Sequence, residues 1–305
     1  MKGTQEAAWL TEFLNNQPDV TSARIDAPLR ISPGSWVFSA HVNDAQVVVK
    51  RFIVDDPVHA VTRLRAELSH LETAFDNPQY RANRCLMAWP EDGVVVLSFA
   101  AGERLDEMIL SAKGAERATL FEQSGAWLRQ YSATRKRQAT FGPRFWVKKL
   151  DAVSTDPVTD PADQELAGDL LQNIRGRIEQ VKGVPLVQAA THGDFVGMNM
   201  HIHDGIICGV DIQGESWLPL ARDAARFLVW SQIHDPARPS TRRYGIAAQD
   251  LAAFLRSDVL DAREVTTTLP FFIGEQLYLR LVENCHRRAL RDNMRAAIHA
   301  YLTGG

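Results

Sequence analysis

Apolar positions 5–14 recur at helical spacing through Ala8, Leu10, Phe13 and Leu14, ahead of Pro18, and predict a short leading helix. From Ala27 the pattern turns alternating and β-branched, so that residues 36–42 and 46–52 read as two strands joined by a tight Asn43-Asp44 hairpin. Helical spacing returns over 58–75 with Val61, Leu64, Leu68, Leu71 and Phe75. Residues 85–89 and 94–99 form another hairpin, with Asp92-Gly93 as its turn signal. After Ala100-Ala101-Gly102 helical patterns dominate, at 104–111, 115–133 and 161–182, interrupted by a loop rich in Pro, Asp and Thr at 151–161. A β-rich island at 199–212 precedes helices that are broken at Pro236, Pro239 and Pro270. Strands first and helices afterwards make an α+β chain, and 305 residues suffice for two hydrophobic cores. The expected domains are 1–101 and 102–305.

Composition narrows the classes of partner. A hydrophobic fraction of 45% and a charged fraction of 23% are those of a soluble globular protein. A net charge of −3 supplies no long-range attraction to nucleic acid or to anionic membranes. Cys85, Cys208 and Cys285 lie far apart without a C-x-x-C spacing, which suits buried thiols in a reducing compartment and encodes no zinc site. Glu6 and Glu12 interrupt the N-terminus before a signal peptide develops, and apolar runs such as 94–101 are too short to cross a bilayer. A cytoplasmic location is expected.

The chemistry concentrates in one stretch, Thr191-His192-Gly193-Asp194-Phe195-Val196-Gly197-Met198-Asn199, followed by a short strand pair that ends at Asp211. A carboxylate can accept the proton of an attacking hydroxyl, while an amide oxygen and a second carboxylate hold the magnesium ions that bridge ATP phosphates. H-G-D-x-x-x-x-N, with Gly209-Val210-Asp211 ending twelve residues after Asn199, resembles the aminoglycoside phosphotransferase and choline kinase superfamily. The resemblance implies a bilobal protein-kinase-like fold, with a small antiparallel-sheet lobe carrying one main helix and a larger, mostly helical lobe. It implies ATP and Mg2+ as cofactors, Asp194 as catalytic base, and Asn199 and Asp211 as metal ligands. His192 then packs the catalytic loop and Asp223 braces it.

The N-terminal half carries the rest of the resemblance. Lys50 near the end of Val47-Val48-Val49-Lys50 is similar to the kinase lysine that contacts the α- and β-phosphates, and Glu67, seventeen residues later, to its glutamate partner. Glu72 competes for that role. The loop Ile31-Ser32-Pro33-Gly34-Ser35-Trp36 lies where a phosphate lid belongs, with Gly34 and Ser35 N–H groups as its donors, although no G-x-G-x-x-G is present. Residues 97–102 resemble the hinge that receives adenine.

Two departures from protein kinases favour a small-molecule hydroxyl acceptor. Gly193 replaces the arginine that reads a phosphorylated activation loop, and only eleven residues separate Asp211 from Asp223. Gln213 and Ile212 also depart from the usual residues after the metal aspartate. His286, Arg287, Arg288 and Arg291 argue against a polycationic aminoglycoside, and Arg135, Lys136, Arg137, Arg144, Lys148 and Lys149 offer further positive charge to a phosphorylated or carboxylated acceptor. Trp146, Trp217 and Trp230 are read as core, and His201 and His203 as strand-face residues rather than metal ligands. The competing functions are a pseudokinase that binds nucleotide without turnover, a protein kinase and an antibiotic-resistance kinase.

Overall fold

The computed structural model describes residues 2–212, 217–235 and 241–304, so Gln213, Pro236 and Pro239 lie outside the described residues. The chain forms two compact units, residues 1–102 with 201–215 and residues 103–200 with 216–305.

In the first unit α1 (Lys2–Asn15) precedes a five-stranded antiparallel sheet of order β1-β2-β3-β6-β5, built from β1 (Ala23–Ser32), β2 (Ser35–Val42), β3 (Ala45–Phe52), β5 (Cys85–Trp89) and β6 (Val94–Ser98). Between β3 and β5 come α2 (Pro57–Ala74) and the short β4 (Tyr80–Ala82). Alternation is the cause of the sheet: Phe38 and Ala40 of β2 and Val47 and Val49 of β3 point inward onto Leu10 and Leu14 of α1. The β2–β3 turn uses Asn43 and Asp44 at φ of 50° and 62°, the left-handed pair that a twisted two-residue hairpin requires. Asp56 caps α2 by accepting the His59 N–H at 2.9 Å, ahead of Pro57 at the first helical position.

Residues 201–215, which the sequence division places in the second domain, belong to the first unit. The strands Met200–His203 and Ile206–Gly209 form a hairpin, and the second runs parallel to β4 with Ile207 opposite Tyr80 and Gly209 opposite Ala82. Such pairing joins segments remote in sequence, so no local pattern announces it. Gly102 permits the close approach of this hairpin: its φ is +95°, and an added Cβ would sit 2.0 Å from the Ile202 carbonyl oxygen. Gly102→Ala is therefore expected to cost about 3 kcal/mol, combining overpacking with a left-handed backbone, and urea unfolding reads the loss directly. Cys208, buried in the same hairpin, has its thiol pushed up to about 11 by desolvation.

The second unit is helical: α3 (Leu105–Ser111), α4 (Gly114–Ser132), α5 (Pro143–Asp151), α6 (Pro161–Gly176), α7 (Ile178–Val181), α8 (Leu220–His234), α9 (Ala248–Leu255), α10 (Ala262–Thr266), α11 (Thr268–Asn284) and α12 (Arg288–Leu302). The single helix expected over 161–182 is two, and Pro270 does not break a helix but sits in the first turn of α11, where its missing N–H costs nothing. Helix α8 is buried on nearly every side and packs against α11 and α12. Phe195, Phe227 and Phe254 stack in succession at 5.1 Å and 5.5 Å. A small antiparallel sheet of Trp217–Pro219, Pro185–Ala190 and Lys136–Thr140 lies in this unit. Several of the basic residues that stood out in the sequence are engaged locally. Arg137 bonds Gln188 and lies over Trp217, Arg144 meets Glu179, Lys149 lies over Phe145, and Arg291 and Arg295 clasp Asp160 and Asp163. No helix among the described residues is long and apolar enough to cross a membrane.

Candidate active site

The His192–Asn199 motif follows the strand Pro185–Ala190 and is held at two points. Asp223, in the first turn of α8 and 1% exposed, accepts the His192 N–H at 2.9 Å and the Gly193 N–H at 3.4 Å through one oxygen. Burial pushes the Asp223 carboxyl up, opposed by the His192 and Arg222 charges and by these two N–H groups. Gly193 takes φ +80°, with open space where a Cβ would stand, so its need is conformational. His192 is fully buried beside Trp127, Tyr131 and Phe195, and its Nδ1 accepts the Asp194 N–H at 3.3 Å. On the far side of the loop, Asn199 closes a 3-10 turn (Gly197–Asn199) and donates Nδ2 to the Asp194 carbonyl at 2.9 Å. That bond leaves the amide oxygen of Asn199 as an acceptor. With its backbone fixed, Asp194 presents a carboxylate that is 32% exposed, and Oδ1 receives Nε and Nη2 of Arg226 at 2.9 Å and 2.5 Å.

In the first unit Lys50 of β3 is 6% exposed and donates Nζ to Asp211 Oδ1 at 2.7 Å. The other Asp211 oxygen meets Arg30 Nη1 at 3.4 Å. Asp211 takes φ 55°, a left-handed conformation that Asp tolerates better than most side chains. Of the two glutamates considered on α2, Glu67 is buried among Leu64, Leu68 and Leu71, whereas Glu72 is exposed. The loop expected at 31–36 condenses to a Pro33-Gly34 turn, because β1 extends to Ser32 and pairs with Ser35. Ser35 N–H donates to Ser32 Oγ at 3.1 Å, so a phosphate oxygen there competes with a bond already made. In the segment 97–102, β6 ends at Ser98, Phe99 is exposed and Ala100 is buried.

Solved structures share this fold across nearly the whole chain. A choline/ethanolamine kinase family protein from Mesorhizobium loti aligns with TM-score 0.60 and 15% identity, covering 99% of this chain and 93% of its own. Amicoumacin kinase, determined with AMP-PNP, Ca2+ and its antibiotic, aligns with TM-score 0.59 and 14% identity, covering 99% and 96%. The aminoglycoside phosphotransferase APH(4)-Ia, as a thermostable mutant, gives TM-score 0.57 at 15% identity, covering 97% and 98%. The chain has the fold of the aminoglycoside phosphotransferase and choline kinase superfamily. No family model and no curated protein sequence matches it.

The Asp211 carboxylate in the first unit and the Asn199 amide oxygen in the second are each hard oxygen donors, the type of group that a hard divalent cation takes. Among the described residues no cluster of three or more His, Cys, Asp and Glu side chains forms a separate metal cage. The sequence reading missed Arg226, Arg222 and Arg280. Arg222 and Arg226 flank Asp223 in Arg222-Asp223-Ala224-Ala225-Arg226, one helical turn apart and therefore on one face of α8, which is the signal that was available.

Proposed function

We propose that this chain is an ATP-dependent phosphotransferase that phosphorylates a hydroxyl of a small molecule. The observation that carries the reading is the Asp194 loop: a partly exposed carboxylate whose backbone is pinned by Asp223 on one side and Asn199 on the other. Phosphoryl transfer demands mainly positioning and charge neutralisation, and a preset carboxylate provides the first. Asp194 orients the acceptor hydroxyl and takes its proton. Asn199 Oδ1 and the Asp211 carboxylate are the groups that would hold magnesium, and Lys50 the cation for nucleotide phosphates. Mg-ATP supplies the transferable phosphoryl group, with the ion offsetting phosphate charge. Glu67 is assigned to Lys50 as its glutamate, and Gly34 and Ser35 to the phosphate lid. The neighbours support the class, since their names include glucosamine, fructosamine-3, choline/ethanolamine and amicoumacin kinases.

The test is γ-phosphate transfer from Mg-ATP across a panel of hydroxylated metabolites. A phosphorylated product from at least one acceptor is expected. Magnesium-dependent ATP binding with no transfer to any member would instead identify a nucleotide-binding module that has lost turnover.

A further inference from the structure

Helices α8 and α11 pack together in the second unit, and three arginines line their contact beside Asp194. Arg222 is spoken for: its Nε meets both Glu275 oxygens at 2.9 Å, Glu275 is 2% exposed, and the guanidinium lies over the Trp146 ring at 5.1 Å. Among the described residues Arg226 is held only by Asp194 Oδ1, through Nε and Nη2, and its Nη1 has no bond there. Arg280 on α11 is 14% exposed at its side chain and gives Nη1 to Glu283 at 2.8 Å, a carboxylate that is itself half exposed. The Arg280 Nε is buried and has no acceptor among the described residues. Desolvation pulls the Arg280 guanidinium below its ordinary pKa, and the charges of Arg226 and Arg222 act in the same direction against Glu283 and Asp194.

The unpaired Arg280 Nε costs free energy by burial, and the like charge of Arg226 nearby adds to it. An oxyanion from outside the chain offsets the like-charge repulsion through the outer guanidinium N–H groups, since planar guanidinium groups match carboxylate and phosphate oxygens. A cationic acceptor would bring further positive charge to this corner, where Glu275 and Glu283 are already committed to arginines. We propose that the acceptor carries a carboxylate or phosphate gripped by Arg226 and Arg280 while its hydroxyl faces Asp194. This inference rests on Asp194 being the base of the proposed transfer. In that transfer the hydroxyl oxygen bonds the γ-phosphorus as the bridging β,γ P–O bond breaks, the proton passes to Asp194, and ADP leaves.

The experiment pairs acceptors that differ only in charge, assayed with Mg-ATP: hydroxy acids and sugar phosphates against their uncharged counterparts, with choline and ethanolamine as cationic arms. Oxyanion acceptors are expected to be preferred at least 10-fold in kcat/KM. Arg280→Gln should raise their KM at least 10-fold, leave kcat within about 3-fold and abolish the preference, whereas Arg280→Lys keeps part of it. A response confined to the carboxylate or to the phosphate arm names which oxyanion it is. Preference for uncharged or cationic acceptors, or a preference that survives Arg280→Gln, overturns the inference and leaves the phosphotransferase reading standing. A second readout needs no turnover: thermal shift with Mg2+ and AMP-PNP, titrated with glycerate, glycerol 3-phosphate or glycerol. Oxyanion stabilisation that Arg280→Gln removes supports the site even if no acceptor is phosphorylated, an outcome that would sink the phosphotransferase reading alone. Equal shifts from all three compounds overturn the oxyanion site.

Discussion

Asp194→Asn is expected to lower kcat about 10³-fold or more while leaving the protein folded. A positioned base contributes roughly 10²- to 10⁴-fold, and the amide that replaces this carboxylate cannot take up the hydroxyl proton. The backbone contacts that shape the loop, from the Asp194 N–H to His192 and from Asn199 to the Asp194 carbonyl, do not involve the substituted side chain. Among the described residues the one side-chain contact weakened is the ion pair to Arg226, in which both side chains keep some solvent access at 32% and 19% exposure. Its loss should therefore cost only about 1 kcal/mol. Phosphate-transfer rates with an active acceptor, alongside the urea midpoint, separate the two effects. A variant that retains more than a tenth of wild-type kcat would remove Asp194 from the role of base.

Asp223→Ala should have the largest effect on stability near the site. The carboxylate is 1% exposed and its Oδ2 receives two backbone N–H groups of the catalytic loop. Truncation leaves the His192 N–H buried and the half-buried Gly193 N–H without this acceptor, at about 1–3 kcal/mol for the first and less for the second, so an overall loss of about 3 kcal/mol is expected. Asp223→Asn keeps an acceptor oxygen in the same place and, because burial already disfavours the charge at this position, should recover most of that loss. Denaturant unfolding of the pair decides the matter. Equal destabilisation by Ala and Asn would mean that the negative charge, not the two hydrogen bonds, is what the loop requires.

The regular elements were legible wherever one periodicity ran uninterrupted. The hairpin β2–β3, helix α2 and the strands β5 and β6 fall within a residue or two of their expected spans, because alternation or a 3.6-residue stripe there coincides with burial. The strand Lys136–Thr140 and helix α5 were missed, since Arg and Lys mask their apolar positions, and the strand's partner lies about fifty residues along the chain. The glycine that follows β6 shows the same limit. Gly102 is visible as a glycine, but its necessity comes from the Ile202 carbonyl, which only folding brings to it.

For the site, H-G-D-x-x-x-x-N and the later Asp211 were visible in the sequence as the candidates for phosphoryl-transfer chemistry, because one short loop and one hairpin can carry those residue types at that spacing. Tertiary structure decided what surrounds them. The Lys50 ammonium reaches Asp211 from 161 positions away, and the parallel pairing of Ile206–Gly209 with β4 moves Asp211 into the first unit. Sequence also showed a surplus of basic residues toward the C-terminus, yet Arg291 joins Arg295 in ion pairs with Asp160 and Asp163. The cations beside Asp194 are instead Arg226 and Arg280, 54 residues apart on two helices. Helical periodicity fixes which residues share one face of one helix, but not which faces meet, and it is the meeting of α8 and α11 that sets the charge around Asp194.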